Sequence, residues 1–242
     1  MSTLEPLAWD SEFFGFGIGR LHPDAEGEGA ANLAEVEDEA RQLGIQCLYA
    51  SLDPIHTDLS IDLQRHGFRL VEVAMDLVHP TSVIDKLPET TAATRDATPE
   101  DLPALEDEIA VIAPWSRFAV DRRFGLDAAR RVHRAWATLA ATAEDRRLVV
   151  AEDEHGITGY STQSTLPGEE PRVDLIASSR SGSGAAYALI DHHFHQFGPG
   201  RSRGGPVAAR NATSMHFVEN CGYRVKSARY LYHRWLDEAS PA

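Results

Sequence analysis

The 242-residue chain contains little cysteine, fewer basic than acidic residues and no long apolar run. Its two cysteines, Cys47 and Cys221, lack the close spacing of metal ligands, which argues against a zinc site and a disulfide framework. Aspartate and glutamate outnumber lysine and arginine 37 to 23, for a formal net charge of −14, whereas nonspecific nucleic-acid binding requires a basic surface. We therefore expect reduced cysteines, no bound metal and no nucleic-acid partner.

Membrane insertion and export are not indicated either. The longest apolar runs are far shorter than a bilayer span, and the first residues lack a basic region followed by a hydrophobic one. With 43% hydrophobic and 25% charged residues, the chain can bury one substantial core or two modest ones. The sequence predicts a cytoplasmic globular protein with no membrane partner.

Residues 173–185 combine a strand, a glycine-containing turn and the start of a helix. Val173–Ala177 is a short run of β-branched and apolar residues with one acid, and residues 178–184, here called the glycine loop, follow without proline. Glycines let a backbone approach a bulky anion, and the N–H groups of a helix that starts near Ala185 present a positive dipole end. Arg180 adds a positive charge. The pattern favours a pyrophosphate site, with an ordinary strand-to-helix turn as the alternative.

A second segment, residues 206–225, is predicted to contain a strand, a helix and a further strand. Asn211 is suited to cap the helix at its N-terminus. Gly222 is suited to the left-handed conformation that ends a helix, and Tyr223–Val225 then begins the next strand.

Together these two segments resemble the GCN5-related N-acetyltransferase (GNAT) superfamily, over residues 90–236. Further residues extend the resemblance over nearly the whole chain to the dTDP-fucosamine acetyltransferase group; they are Leu7–Gly15, Ser116, Arg117, Phe118, Asp121, Phe124, Trp136 and Tyr230–Tyr232. The resemblance implies an α/β acyl-CoA N-acyltransferase fold with a central mixed β-sheet flanked by helices. It also implies acetyl-CoA as donor. The implied acceptor is a primary amine of a small molecule, either an amino sugar, nucleotide-linked or not, or a biosynthetic amine.

The resemblance also assigns the residues that hold acetyl-CoA. Backbone groups near Ile176 and Ala177 would hold the pantetheine arm and polarise the thioester. The candidates for binding the rest of the cofactor are Arg180, Gly182, Ser183, Gly184, Ala185 and Asn211. The basic or amide residue of the superfamily loop falls at Ser179 here, with Arg180 one position later.

Three residues are candidates for moving protons in an acetyl transfer by direct attack. Asp174 lies on the strand face opposite Val173 and Leu175, so it is the first candidate for the base or for a water relay. His216 and Tyr223 are candidates for the acid that protonates the departing thiolate. The ordinary alternatives are a solvent-facing acid, a surface histidine and a packed strand aromatic.

The usual acid position departs from the superfamily pattern. Where many members carry a tyrosine that protonates the thiolate, this chain has Val218, which has no proton to donate. A positioned acid contributes about 10²- to 10⁴-fold, so its loss slows the reaction without abolishing it. Two alternatives therefore stay open: a CoA-binding or regulatory protein with weak or no transferase activity, and a CoA-dependent enzyme that transfers a longer acyl group.

The middle of the chain is predicted to be mostly helical, with a helix start at Thr98, a break at 114–118 and a long helix over 126–142. In the implied fold this break faces the acceptor. The side chains that would stack on the acceptor or pair with its charge are Trp115, Arg117, Phe118 and Arg123. Packing within the loop is the alternative. A hairpin that turns at 153–156 follows.

An internal similarity indicates two related halves. Residues 58–78 contain a helix, a glycine and a strand in the order found again at 217–232, and a helix and a strand precede each copy. We predict an N-terminal degenerate GNAT-like half domain at 1–88 and a GNAT acetyl-CoA-binding catalytic domain at 89–242. Chance similarity of two such units is the alternative.

The early copy is predicted not to bind pyrophosphate. Glu26 and Glu28 stand where the anion would lie, and carboxylates there would repel it. The segment 81–98, which is flanked and interrupted by prolines, is predicted to link the halves.

Three other sequence patterns are interpreted as structural features and not as catalytic or metal sites. Asp191–His195 places histidines three apart but has no second ligand cluster, so no metal site is expected. Gly198–Pro206 is predicted to be a flexible connection. The final strand, Tyr230–Trp235, is predicted to be exposed and could pair across a homodimer.

Overall fold

The computed structural model describes residues 2–23, 32–80, 87–180 and 182–237. The chain divides into two compact units: the first contains the chain up to Ala74 and again from Ala228, and the second is Met75–Ser227. These boundaries differ from the division at residue 88, which stays a prediction about where the catalytic domain begins.

The described residues form ten strands, eight α-helices and three short 3₁₀ turns. The strands are β1 (Thr3–Pro6), β2 (Gly17–His22), β3 (Ile45–Leu52), β4 (Arg69–Val78), β5 (Ala93–Asp96), β6 (Arg146–Asp153), β7 (Gly156–Ser164), β8 (Arg172–Ala177), β9 (Arg203–Ala208) and β10 (Arg224–Trp235). The α-helices are α1 (Ala8–Phe14), α2 (Leu33–Gln42), α3 (Thr57–Arg65), α4 (Glu106–Ile112), α5 (Arg117–Val120), α6 (Gly125–Thr142), α7 (Ala185–Phe197) and α8 (Ala212–Asn220). Short 3₁₀ turns span Pro99–Leu105, Ala113–Trp115 and Pro199–Arg201.

In the first unit the strand order is β1-β2-β3-β10-β4. β2 and β3 are parallel, whereas β1 pairs with β2, and β10 with β3, in antiparallel fashion. The apolar core of this unit includes Leu33, Leu48, Leu63, Phe68 and Tyr232. Beside it, buried Arg234 and Glu37 form an ion pair, with Nε 3.5 Å from Oε1.

In the second unit the strand order is β9-β8-β7-β6-β5, with the end of β4 beside β9. β5 to β8 pair in antiparallel fashion, and β8 and β9 are parallel. Leu148 and Val150 of β6 pack in one cluster with α4 and α6, while Val149 and Ala151 pack in another with α7. Because successive strand residues point to opposite faces, α6 and α7 cover opposite faces of this sheet.

Both units contain a helix that ends in the same way. Gly67 and Gly222 have φ angles of +83° and +85°. Each glycine N–H donates to the carbonyl three residues earlier, and the next N–H donates to the carbonyl five residues earlier. A strand follows each glycine and crosses a unit boundary: β4 begins in the first unit and ends in the second, and β10 does the reverse. This correspondence supports the internal repeat.

The structure corrects three sequence interpretations. β5 lies inside the segment predicted to be a linker, because its backbone pairs with β6 from Ala93 to Asp96. β9 begins at Arg203, so the last four residues of the predicted connection are strand. The final strand is not an exposed edge, because β10 pairs with β3 from Tyr230 to Trp235, and this removes the reason to expect a dimer through it. Residues 81–86 of the linker, and Glu26 and Glu28, lie outside the described residues.

Candidate active site

β8 contains a β-bulge at Asp174. Thr162 of β7 pairs with Leu175 and Gln163 pairs with Val173, which leaves Asp174 as the extra residue on its strand. The carboxyl group accepts a hydrogen bond from Ser164, while its Oδ2 atom is buried and has no hydrogen-bond partner. Burial raises the pKa of this carboxyl group above its ordinary value. Asp174 is therefore a carboxyl group that can accept a proton on an unoccupied oxygen.

β8 and β9 approach closely at the bulge and pair over a short distance. Arg172 pairs with Arg203, and Val173 pairs with Gly204. Within the described residues, β8 and β9 have no further register pair after Val173. A Cβ atom at Gly205 would lie only 2.4 Å from the Asp174 carbonyl oxygen, so only glycine fits there. Beyond the bulge, the backbone groups of β8 that face β9 are left without a strand partner, as an extended ligand would require.

The glycine loop connects the end of β8 to α7, and its backbone is open. Gly182 and Gly184 have φ angles of +78° and +72°, which favour glycine. A Cβ atom at Gly182 would meet nothing within 4 Å. α7 begins at Ala185, and Gly184 before it has no side chain to cap the helix. The Ser183 hydroxyl accepts from the Ala185 N–H, so the remaining N–H groups of the first turn can bind an anion. Ser181, within this loop, lies outside the described residues.

Two side-chain hydrogen bonds hold the glycine loop, one before Gly182 and one across Gly184. The Ser178 hydroxyl donates to the Thr158 carbonyl at 2.8 Å, and the Ser183 hydroxyl accepts from the Ala185 N–H at 3.2 Å. Thr90 packs over Gly184, where an added Cβ atom would lie 2.5 Å from its Oγ1 atom. Ile176 and Ala177, the predicted pantetheine contacts, lie immediately before the loop, where β8 pairs with β7.

Arg180 does not stand free beside this loop. Its guanidinium donates to both carboxylate oxygens of Asp153, at 3.1 and 2.8 Å. A backbone hydrogen bond from His155, assisted by Arg180, lowers the pKa of Asp153. The prediction that Arg180 adds a full charge for pyrophosphate therefore needs correction, because Asp153 already compensates that charge. The sequence could not show this, because the two residues are 27 positions apart in the chain.

Helix α8 has the predicted ends. The Asn211 side chain caps it by accepting from the Ser214 N–H at 3.1 Å. Val218, at the usual acid position, is 6% exposed and packs in an apolar cluster with Val173. His216 lies on the exposed side of the helix, where its Nε2 atom is 3.2 Å from the Asn220 amide. The exposed position of His216 matches the surface alternative.

Tyr223 is a core residue in this structure. It is 1% exposed, and its hydroxyl is 2.5 Å from the Ser202 hydroxyl. Its ring packs against His79 and Phe194. Burial raises the pKa of Tyr223. These contacts account for the residue as a packed strand aromatic, and its predicted role as an acid gains no support from them.

The predicted acceptor residues occupy different environments. Phe118 is 1% exposed and packs against Phe124 and Trp136, so it supports the loop from within. Arg117 and Trp115 are half-buried; the Arg117 guanidinium lies 4.7 Å from the Phe118 ring centroid. Arg123 is exposed. Trp115 and Arg117 thus keep part of their surface open, and their contact with an acceptor stays a prediction.

The sequence interpretation missed a buried polar cluster next to the glycine loop. Glu108 of α4 is 1% exposed, and its Oε1 atom accepts from the Ser179 hydroxyl at 2.7 Å. Its Oε2 atom and the buried Tyr160 hydroxyl have no hydrogen-bond partner, and burial next to Glu108 raises the pKa of Tyr160. Glu108 stands on the apolar stripe of Leu105 and Ile112 at helical spacing, which is the signal that could have identified it.

The histidines of α7 have separate partners. Buried His193 contacts Gln163 through Nδ1 at 3.1 Å, His192 contacts Thr94, and His195 pairs with Asp191. Among the described residues, no group of three or more histidines, cysteines or acids is placed to hold a metal ion. Both cysteines are buried thiols that form no disulfide bond, and burial raises the pKa of Cys221 to about 12. In the part of the chain that the structure describes, no helix is long and apolar enough for a membrane span.

Comparison with known proteins agrees with this geometry. The chain is 24% identical over 235 residues to a dTDP-fucosamine acetyltransferase of Escherichia coli O6:H1, covering 96% of this chain and 98% of that protein. A GCN5-related N-acetyltransferase from Sphaerobacter thermophilus superposes with a TM-score of 0.61 at 14% identity, covering 98% of this chain and 78% of the other. This chain has the GNAT fold. No protein-family model matches it.

This chain is also similar in structure to a protein with two GNAT units in tandem. A tandem GNAT protein from the clavulanic acid biosynthesis pathway superposes with a TM-score of 0.55 at 14% identity, over 92% of this chain and 76% of the other. This similarity agrees with the matching helix ends at Gly67 and Gly222, and supports the N-terminal half-repeat.

Proposed function

We propose that this GNAT-fold protein is an acetyl-CoA-dependent N-acetyltransferase that acetylates a primary amine of a small molecule by direct attack. The observation that carries the proposal is the construction of β8, which has a half-buried carboxyl group with one buried, unpartnered oxygen at its bulge and an open glycine loop at its end. The similarity to dTDP-fucosamine acetyltransferase favours a nucleotide-linked amino sugar as the acceptor.

The residues at the end of β8 fit acetyl-CoA, which supplies an acetyl group activated as a thioester. Gly182 is open to a bulky group, and the N–H groups in the first turn of α7, apart from that of Ala185, suit a pyrophosphate. Leu175–Ala177 have no register pair with β9, so their backbone groups on that side suit the amides of an extended arm. Asn211 orders α8 beside this strand.

Asp174 would act on the amine. An ammonium group must lose a proton before its nitrogen can attack, and the unpartnered Oδ2 atom of Asp174 can accept that proton. Burial disfavours the charged carboxylate, so its basicity is greater than that of a solvated aspartate. Once protonated, the same carboxyl group is a proton donor for the sulfur that leaves. One residue would then serve both transfers where Val218 cannot.

A CoA-binding or regulatory protein with weak or no turnover is the second candidate. Val218 favours it, since this side chain is buried among apolar residues at the usual acid position. The same observation does not exclude catalysis, because a thiolate leaves without assistance at a reduced rate. Binding and turnover must therefore be measured separately.

Calorimetric titration of the protein with acetyl-CoA tests the donor site. Gly182→Glu places a carboxylate in the open part of the glycine loop and should abolish saturable binding. Gly168→Glu is the matched control, because Gly168 has a φ of +81° and open space around it but lies in the β7–β8 connection. The control should bind like the wild type.

Absence of acetyl-CoA binding by the wild-type protein would overturn the proposal. Equal loss in both glycine variants would indicate unfolding instead of a local effect, which thermal denaturation of each variant would show. Binding without acetyl transfer to any amine of a broad panel, nucleotide-linked amino sugars included, would favour the second candidate.

A further inference from the structure

Arg210 connects the turn before α8 to the 114–118 loop. Its Nη2 atom donates to the Pro114 carbonyl at 3.0 Å, and its guanidinium carbon lies 5.3 Å from the centroid of the Trp115 ring. Trp115 was expected beside the acceptor, and Asn211, the next residue in the chain, caps α8. The guanidinium is thus fixed from two sides where the acceptor and donor segments meet.

Arg210 is exposed, and its contacts are with the Pro114 carbonyl and the Trp115 ring. Among the described residues no carboxylate pairs with it, although the protein has a formal net charge of −14. Other arginines of the second unit do pair with carboxylates: Arg95 with Asp101, Arg134 with Glu106, Arg147 with Asp96, Arg180 with Asp153 and Arg203 with Glu170. Arg210 therefore retains both its charge and most of its N–H donors for a ligand.

The chemistry of this arrangement suits a phosphate group. A guanidinium presents a planar fork of donors that matches phosphate oxygens, and stacking on an aromatic ring holds the fork in place. Because Pro114 and Trp115 already order the side chain, binding an anion loses less conformational entropy than it would at a mobile arginine.

We propose that Arg210, held by Trp115 and the Pro114 carbonyl, binds a phosphate of the amine-bearing acceptor and so selects nucleoside-diphosphate-linked amines over free ones. The proposal rests on the proposed function. The position of Arg210 in the chain fits a role in acceptor binding. Arg210 lies in the turn that joins β9 to α8, and β9 lies against β8 at the Asp174 bulge. A phosphate of coenzyme A is the other source of the same chemistry.

The test measures dTDP and acetyl-CoA binding separately by calorimetry. Arg210→Gln should weaken dTDP binding by a factor of roughly 10 to 100, as expected for loss of a charge-assisted hydrogen-bonded contact. Arg210→Lys, which keeps the charge but loses the fork, should give an intermediate value. Arg201→Gln is the control, because Arg201 is also exposed and, in the part of the chain described, also has no carboxylate partner. Acetyl-CoA binding should be the same in all of these proteins.

Three outcomes would overturn the proposal. The first is no binding of dTDP by the wild type, and the second is equal dTDP binding by wild type and Arg210→Gln. The third is weaker acetyl-CoA binding by Arg210→Gln with unchanged binding of 3′-dephospho-acetyl-CoA, which would assign the phosphate to coenzyme A. Failure of the proposed function is distinct, since it would appear as no acetyl-CoA binding by the wild type, whatever the dTDP result.

Discussion

Replacing Gly205 with alanine should separate β8 from β9 beside the strand that we propose to hold acetyl-CoA. The added Cβ atom would lie 2.4 Å from the Asp174 carbonyl oxygen and 2.9 Å from the Asp174 Cα atom, and both belong to backbone. Backbone cannot swing aside as a side chain can, so the strands must separate by about 1 Å to restore ordinary contact.

The size of the effect follows from this displacement. Overpacking of this kind costs about 1–3 kcal/mol, which for a chain of this length lowers the melting temperature by roughly 2–12 °C. A misplacement of about 1 Å at a catalytic group can cost on the order of 10²-fold in rate. We therefore expect Gly205→Ala to lose most of its acetyl transfer at temperatures where it is still folded.

Gly168→Ala separates stability from geometry. Gly168 has a φ of +81° and no atoms close to an added Cβ, so the substitution costs about 1–2 kcal/mol of backbone strain away from β8. The measurements are thermal unfolding, acetyl-CoA binding and acetyl transfer for both variants. If Gly205→Ala has wild-type stability and activity, or if Gly168→Ala loses activity equally, the reasoning is refuted.

Three further results are expected. Burial lowers the pKa of His193 from 6.5 to about 4, so the folded state binds fewer protons than the unfolded state between these values. The free energy of unfolding of the protein should therefore fall by roughly 2 kcal/mol between pH 7 and pH 5. In urea unfolding, the His193→Gln variant should lack this contribution to the dependence of stability on pH. Ser202→Ala should cost about 1–3 kcal/mol in denaturant unfolding by leaving the buried Tyr223 hydroxyl unpaired, while the Ser202→Ala, Tyr223→Phe double variant recovers part of this loss. Tyr223→Phe alone should leave kcat within a factor of about two, whereas a fall of about 10²-fold or more, the size expected for loss of a general acid, would restore Tyr223 as the acid.

Local sequence patterns predicted much of the fold. The helix cap at Asn211, the left-handed Gly222 and the strand, glycine loop and helix over 172–197 depend on residues close together in the chain, so composition and spacing were sufficient. The β6–β7 hairpin was predicted for the same reason. These elements position the donor site.

The features of the fold and the site that the sequence did not predict depend on contacts between residues that are distant in the chain. The pairing of Arg180 with Asp153 and the burial of Tyr223 against Ser202 are set by the sheet order, which no local pattern specifies. The bulge at Asp174, whose Oδ2 atom has no hydrogen-bond partner, is likewise a property of the β7–β8 register. The position of Arg210 on the 114–118 loop also depends on the chain path, because Arg210 and Pro114 are 96 positions apart in sequence.

The decisive assay for N-acetyltransferase activity measures the release of free thiol from acetyl-CoA, with a panel of amines that includes a dTDP-linked amino sugar. We expect turnover by the wild type, a loss of about 10²- to 10⁴-fold in Asp174→Asn, and a wild-type rate that falls as the pH drops through the raised pKa of Asp174. An equal rate in Asp174→Asn and the wild type would remove Asp174 from the mechanism. No turnover with any amine, despite tight acetyl-CoA binding, would refute the proposed activity.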